Sequence, residues 1–154
     1  MINKLHISKG DVYMAYISSF VYCDNIQQQG VQPNGNSIMQ ILNPLQVIKP
    51  IALPSNFSFS VMCIVSGFET QEEHLFNLIF KSPSGEVLQN TGDIPIKIPQ
   101  EIVGNSKKLN AVQICMDFRN VVIKEYGDHV AEISINGNTI GKFMIPVIQG
   151  EENV

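Results

Sequence analysis

Residues 126–138 read YGDHVAEISINGN. After Gly127-Asp128, the residues His129, Ala131, Ile133 and Ile135 alternate with Val130, Glu132, Ser134 and Asn136, a period of two that sends one set of side chains to each face of a β-strand. Asn136-Gly137 comes next, the pair that tolerates positive φ at both central positions of a type I′ turn, and Thr139 to Val147 resumes as a second alternating run. The stretch predicts a C-terminal β-hairpin, entered through a glycine turn and closed by a two-residue one.

The same habit runs upstream. In FSFSVMCIVSG (57–67), Phe57, Phe59, Val61, Cys63 and Val65 share a face opposite Ser58, Ser60 and Ser66, while Met62 and Ile64 make that second face partly apolar. HLFNLIFK (74–81) aligns Phe76, Leu78 and Phe80, and Pro83-Ser84-Gly85 then offers a turn back into a short strand from Glu86. YMAYISSFVYC (13–23) and LNAVQICMDF (109–118) read as two more strands, the latter with Val112, Ile114, Met116 and Phe118 on one side and Gln113, Cys115 and Asp117 on the other. SIMQIL (37–42), LQVIKPI (45–51) and DIPIKIPQEI (93–102) are interrupted or flanked by proline, which removes a ladder donor, so they read as edge strands or loops.

No segment has the 3.6-residue period of a long helix. Strands joined by turn signals without helical crossovers predict an all-β, antiparallel sandwich of the immunoglobulin-like or C2-like kind, one domain over residues 12–148. A flexible start (1–11), a polar connection QQQGVQPNGN (27–36) and a flexible tail (149–154) complete the expected organisation.

Charge bounds the function. Fourteen Asp and Glu against ten Lys and Arg give a net charge of −4, and Arg119 is the only arginine, so no basic stripe exists to displace counterions from a phosphate backbone. Nucleic-acid binding is not expected. No run of about 18 apolar residues reads as a membrane helix, and the first residues lack a signal-peptide pattern, so a cytosolic protein is expected. Cys23, Cys63 and Cys115 are odd in number and widely spaced, which predicts free thiols rather than a disulfide framework or a zinc site.

AYISSFVYCDNI (15–26), FSFSVMCIVSG, the turn around KSPSGEVL (81–88) and KEYGDHVAEISINGNTIGKFMIPV (124–147) follow one another in an order that resembles a bacterial domain family of unknown function with an immunoglobulin-like or C2-like sandwich. Members of that family begin with an apolar strand ending in Cys-Asp and finish with Gly-x-Tyr, a strand, an Asn/Asp-Gly turn and a last strand. The likeness spans about residues 15–148, and His129 stands where the family usually has tyrosine. The resemblance implies the fold and brings no catalytic residue or cofactor.

The residues themselves offer little chemistry. His6, His74 and His129 have no second ligand at the spacing of a zinc motif, and the isolated Asp24, Asp93, Asp117 and Asp128 do not make a calcium loop, so no metal or cofactor is expected. Glu69, Glu72 and Glu73 read as a soluble connection between strands. Cys23-Asp24 with His129 is the one nucleophile-and-base combination worth testing by geometry, and strand cysteines behave mainly as small hydrophobes.

The expectation is a non-enzymatic domain of bacterial, phage or mobile-element origin that binds another protein or a second copy of itself. Its candidate interface is Tyr16, Phe20, Tyr22, Met62 and Ile64, apolar residues on what the alternation marks as second faces. The alternatives are a small-ligand module for calcium or carbohydrate, and a hydrolase with a loop-assembled Cys/His or Asp/His pair.

Overall fold

The computed structural model of the chain describes residues 15–35, 37–68, 72–97 and 110–151. The expected flexible start, Glu69, residues 98–102 and the last three residues lie outside them. Nine strands form in order: β1 Tyr16–Val31, β2 Ser37–Pro44, β3 Ser55–Phe68, β4 His74–Lys81, β5 Val87–Asn90, β6 Ile94–Ile96, β7 Asn110–Ile123, β8 Gly127–Ile135 and β9 Asn138–Val147. One sheet has the order β2-β1-β3-β7; the other runs β5-β4-β8-β9, with the three residues of β6 paired to β4. Every strand pair in both sheets is antiparallel, as the sandwich reading expects.

The C-terminal hairpin forms as its sequence predicts. Ile135 pairs with Asn138, and Asn136 and Gly137 both take positive φ, 52° and 81°, as a type I′ turn requires. Gly127 answers a different demand. Its φ of +118° is open to glycine, and the Pro83 ring lies where a Cβ would be, 3.0 Å from that position. The turn 82–85 therefore packs directly on the start of β8, while the Ser82 hydroxyl accepts from the Glu86 N–H to close it.

The alternating residues meet in the middle. Phe59, Val61, Cys63 and Val65 of β3 face Phe76, Leu78 and Phe80 of β4 and Ala131, Ile133 and Ile135 of β8, all buried. Phe59 sits at the centre, its ring 5.1 Å from Phe80 across the layers and 5.2 Å from Phe118 in its own sheet. Phe20 of β1 stacks on Phe143 of β9 at 4.1 Å and 3°, and Gly141 leaves room for that ring, since a Cβ there would lie 2.7 Å from it.

Two sequence expectations need correction. Gln27–Val31 is not a loose connection; it is the end of β1, paired to β2 through Gly30 with Ile38 and Val31 with Ser37. Gly150, expected in a free tail, donates its N–H to the Pro50 carbonyl, and Ile148 donates to Ile48, so 48–50 run beside the chain leaving β9.

Candidate functional site

The candidate interface divides at one residue. Ile17 pairs with Val65 and Ser19 with Ile64, so Ser18 is an extra residue in β1, a β-bulge. Its hydroxyl holds the irregularity in place beside the Ser66 hydroxyl at 3.0 Å and the Ile64 carbonyl at 3.3 Å. An extra residue reverses the side-chain alternation. Tyr16 before it lies on the outer face with Met62 and Ile64, whereas Phe20 and Tyr22 beyond it turn inward.

Phe20 and Tyr22 are therefore core residues and not an exposed second face, a correction that strict alternation along 16–22 could not anticipate. Tyr16 is 54% exposed and Met62 and Ile64 are half-buried, so these three remain on the outside. Tyr22 is buried with its hydroxyl donating to the Phe143 carbonyl at 2.5 Å, and burial pushes its phenol well above the ordinary value.

Further along the same outer face, Cys23 pairs with Ser60 and Ser60 with Asp117. Ser60 is fully buried, and its hydroxyl donates to the Asp117 carboxylate at 2.5 Å; Arg119 approaches the other carboxylate oxygen at 3.5 Å. The buried Cys23 thiol points to the Ser60 carbonyl at 3.6 Å. Burial, with the nearby Asp24, Cys115 and Asp117 adding to it, raises the thiol's pKa, so the sulfur is kept as a thiol rather than the nucleophilic thiolate. Cys63, on the opposite face of β3, is pushed up to about 12, chiefly by burial.

Cys23 and His129 are not brought together. Cys23 is on the outer face of the first sheet, while His129 is on the inner face of the second, stacked on Phe80 at 5.7 Å with Nδ1 3.1 Å from the Gly127 carbonyl. Asp24 instead accepts from the Asn43 side chain at 2.5 Å. Among the described residues, no three His, Cys, Asp or Glu side chains gather as a metal site.

What the sequence reading missed is a groove. The β1–β2 hairpin continues beyond the last β1–β3 pair, Cys23 with Ser60, and its far end reaches over the outer face of β7. An open groove of about 650 Å³ lies between them, lined by Gln28, Gln32 and Met39 from the hairpin and Gln113 and Cys115 from β7. The signal for this hairpin was Gln32-Pro33-Asn34-Gly35, with proline second and glycine fourth as in a type I turn; in the structure the Gly35 N–H donates to the Gln32 carbonyl at 2.9 Å.

Residues 18–148 match the model of a family of unknown function (DUF6941). The chain belongs to this family. Its resemblance to a family of unknown function was legible in the order of its motifs, and the DUF6941 match covers nearly the same span. No curated protein matches the chain. Among solved structures it is similar to Pseudomonas fluorescens alkylpurine DNA glycosylase AlkC bound to DNA containing an abasic site analog, at 9% identity and a TM-score of 0.45. That likeness covers 86% of this chain but only 30% of the glycosylase, and carries no inference about what this DUF6941 chain does.

Proposed function

We propose that this DUF6941 domain is a non-enzymatic protein-binding module that works through the outer side of its β2-β1-β3-β7 sheet. The observation that carries the reading is the groove between the β1–β2 hairpin and β7. Its side chains are all neutral, carboxamides with a serine hydroxyl, a methionine, an alanine and a thiol, so it offers donors and acceptors without a charge to neutralise. Those are the groups that receive a polypeptide's own amides and apolar side chains. The half-exposed Tyr16 with Met62 and Ile64 extends the same face, and the Cys23 thiol beneath it is held protonated. An immunoglobulin-like or C2-like classification, a bacterial or phage origin and a cytosolic location belong to the same proposal.

A photo-crosslinking amino acid at Met39, compared with one at Met144 on the other sheet, tests the reading in the producing cell. Covalent capture of one defined protein from position 39, lost in Gln113→Lys, is the expected result. Equal capture from both positions would count against it, as would a rise in melting temperature with calcium or neutral oligosaccharide, since a ligand that binds only the folded state stabilises it.

A further inference from the structure

β7 ends its sheet: it pairs with β3 on one side and, among the described residues, with no strand on the other. From Ala111 to Phe118 its pairing with β3 is regular; the register shifts at both ends, between Ser66 and Phe68 of β3 and again near Asn120, which takes a φ of 54° and whose N–H bonds to the Ser58 hydroxyl. The regular stretch has no proline, no lysine and no bulge, and of its exposed side chains only the Asp117 carboxylate is charged.

Both faces beside that edge are incomplete in a complementary way. On the core side Val112, Ile114 and Met116 are only half-buried, in contrast to the buried Phe118, Val121 and Ile123 further along the strand. On the outer side Gln113, Cys115 and Asp117 are exposed. An added strand would need apolar residues toward the core alternating with polar ones outward, and β7 itself has that pattern.

We infer that the occupant of this edge is the β7 strand of a second copy, paired antiparallel about a two-fold axis at Cys115. Isologous pairing then sets Ile114 against Met116 of the other copy on the core side, twice, and Gln113 against Asp117 on the outer side, twice. The carboxamide donates to the carboxylate, which complements the charge that a pairing centred on Ile114 would leave opposite Ala111. The two sheets become one continuous layer, and each copy covers the other's half-buried aliphatic row. This inference rests on reading the outer side of that sheet as the binding side, and it names the partner.

Sedimentation equilibrium of the full chain over a hundredfold concentration range tests it. The expected result is a monomer–dimer equilibrium that Cys115→Lys, placing two ammonium groups face to face, weakens at least tenfold, while Cys115→Ser leaves it unchanged. Mild thiol oxidation should trap the wild-type dimer, because directly opposed strand residues lie within disulfide reach, and should not trap Cys115→Ser. A wild-type monomer at every concentration, or a Cys115→Lys chain as dimeric as wild type, would overturn the inference. In the first case a crosslinked partner at Met39 would leave the protein-binding reading standing.

Discussion

The Tyr22 hydroxyl donates to the backbone carbonyl of Phe143 at 2.5 Å, joining β1 of one sheet to β9 of the other from within the core. Tyr22→Phe keeps the ring packed between Phe20, Phe59 and Phe80 but removes this donor. A lost buried hydrogen bond costs about 1–2 kcal/mol, which urea denaturation will measure. The same substitution has a pH signature. Burial raises the phenol above its ordinary 10.0, so the folded chain keeps a proton that the unfolded chain releases. Its contribution is present in full below pH 10 and is lost as the pH climbs toward the folded value. Tyr22→Phe should therefore flatten the alkaline limb of the stability profile; an unaltered limb would show that Tyr22 ionises freely in the fold.

Opposite pH behaviour is expected on the outside of the second sheet. Glu132 is held between Lys81 at 2.5 Å and Lys142 at 3.3 Å, spanning three neighbouring strands, with its side chain 15% exposed. Lys81's hydrogen bond, followed by that of Lys142, outweighs burial and lowers the carboxyl below its usual 4.5. The stabilisation is present above that value and disappears as the pH falls through the lower, folded one. Glu132→Gln should cost about 1 kcal/mol at neutral pH, and the cost should fall as the pH drops below 4.5 and through the lower, folded value. Lys81→Met should cost more than Lys142→Met, because the latter ammonium is the more exposed at 65% against 33%. Salt titration of thermal melts offers a second check, since the difference between wild type and Glu132→Gln should shrink as ionic strength rises.

Turn glycines explain why the fold was legible. Asn136-Gly137 marks a two-residue hairpin whose φ values only a few residues accept, and alternation on both sides fixes which face is buried. Gly137→Val should cost about 1 kcal/mol or more through strain alone, as no neighbouring atom lies within 4 Å of a Cβ there. Gly127→Ala should cost more, combining a φ of +118° with displacement of the Pro83 ring. Comparable stability of Gly137→Val and wild type would contradict the type I′ geometry.

Where the reading failed, the missing information was a single extra residue. Ser18 carries no mark in its sequence that distinguishes it from Ser19, yet the bulge it forms sends Phe20 and Tyr22 to the core and leaves Tyr16 outside with Met62 and Ile64. Local alternation reports on a face only while the ladder is regular. The groove was hidden for a related reason. Gln27–Val31 looks like a linker by composition, and its strand character comes from pairing with β2 rather than from propensity. The long β3 and β7 strands needed no such help, because their apolar faces are continuous through Val65 and Ile114.

His129 is the polar residue the core has not fully accommodated. Its Nδ1 lies 3.1 Å from the Gly127 carbonyl, an acceptor, so that nitrogen carries the proton. Nε2 is buried and without a hydrogen-bond partner among the described residues. An unsatisfied buried polar atom costs about 1–3 kcal/mol, and the one bond lost on replacement leaves behind a carbonyl at an exposed residue, Gly127, where water replaces it. His129→Leu should therefore leave stability unchanged or raise it by up to about 1 kcal/mol. His129→Ala, which opens a cavity beside Phe80, should lower it by about 2–4 kcal/mol. Equilibrium urea denaturation of the two variants separates the contributions: if leucine proves as costly as alanine, the imidazole is satisfied in solution by a group that Nε2 reaches, and its place in the core is a polar one.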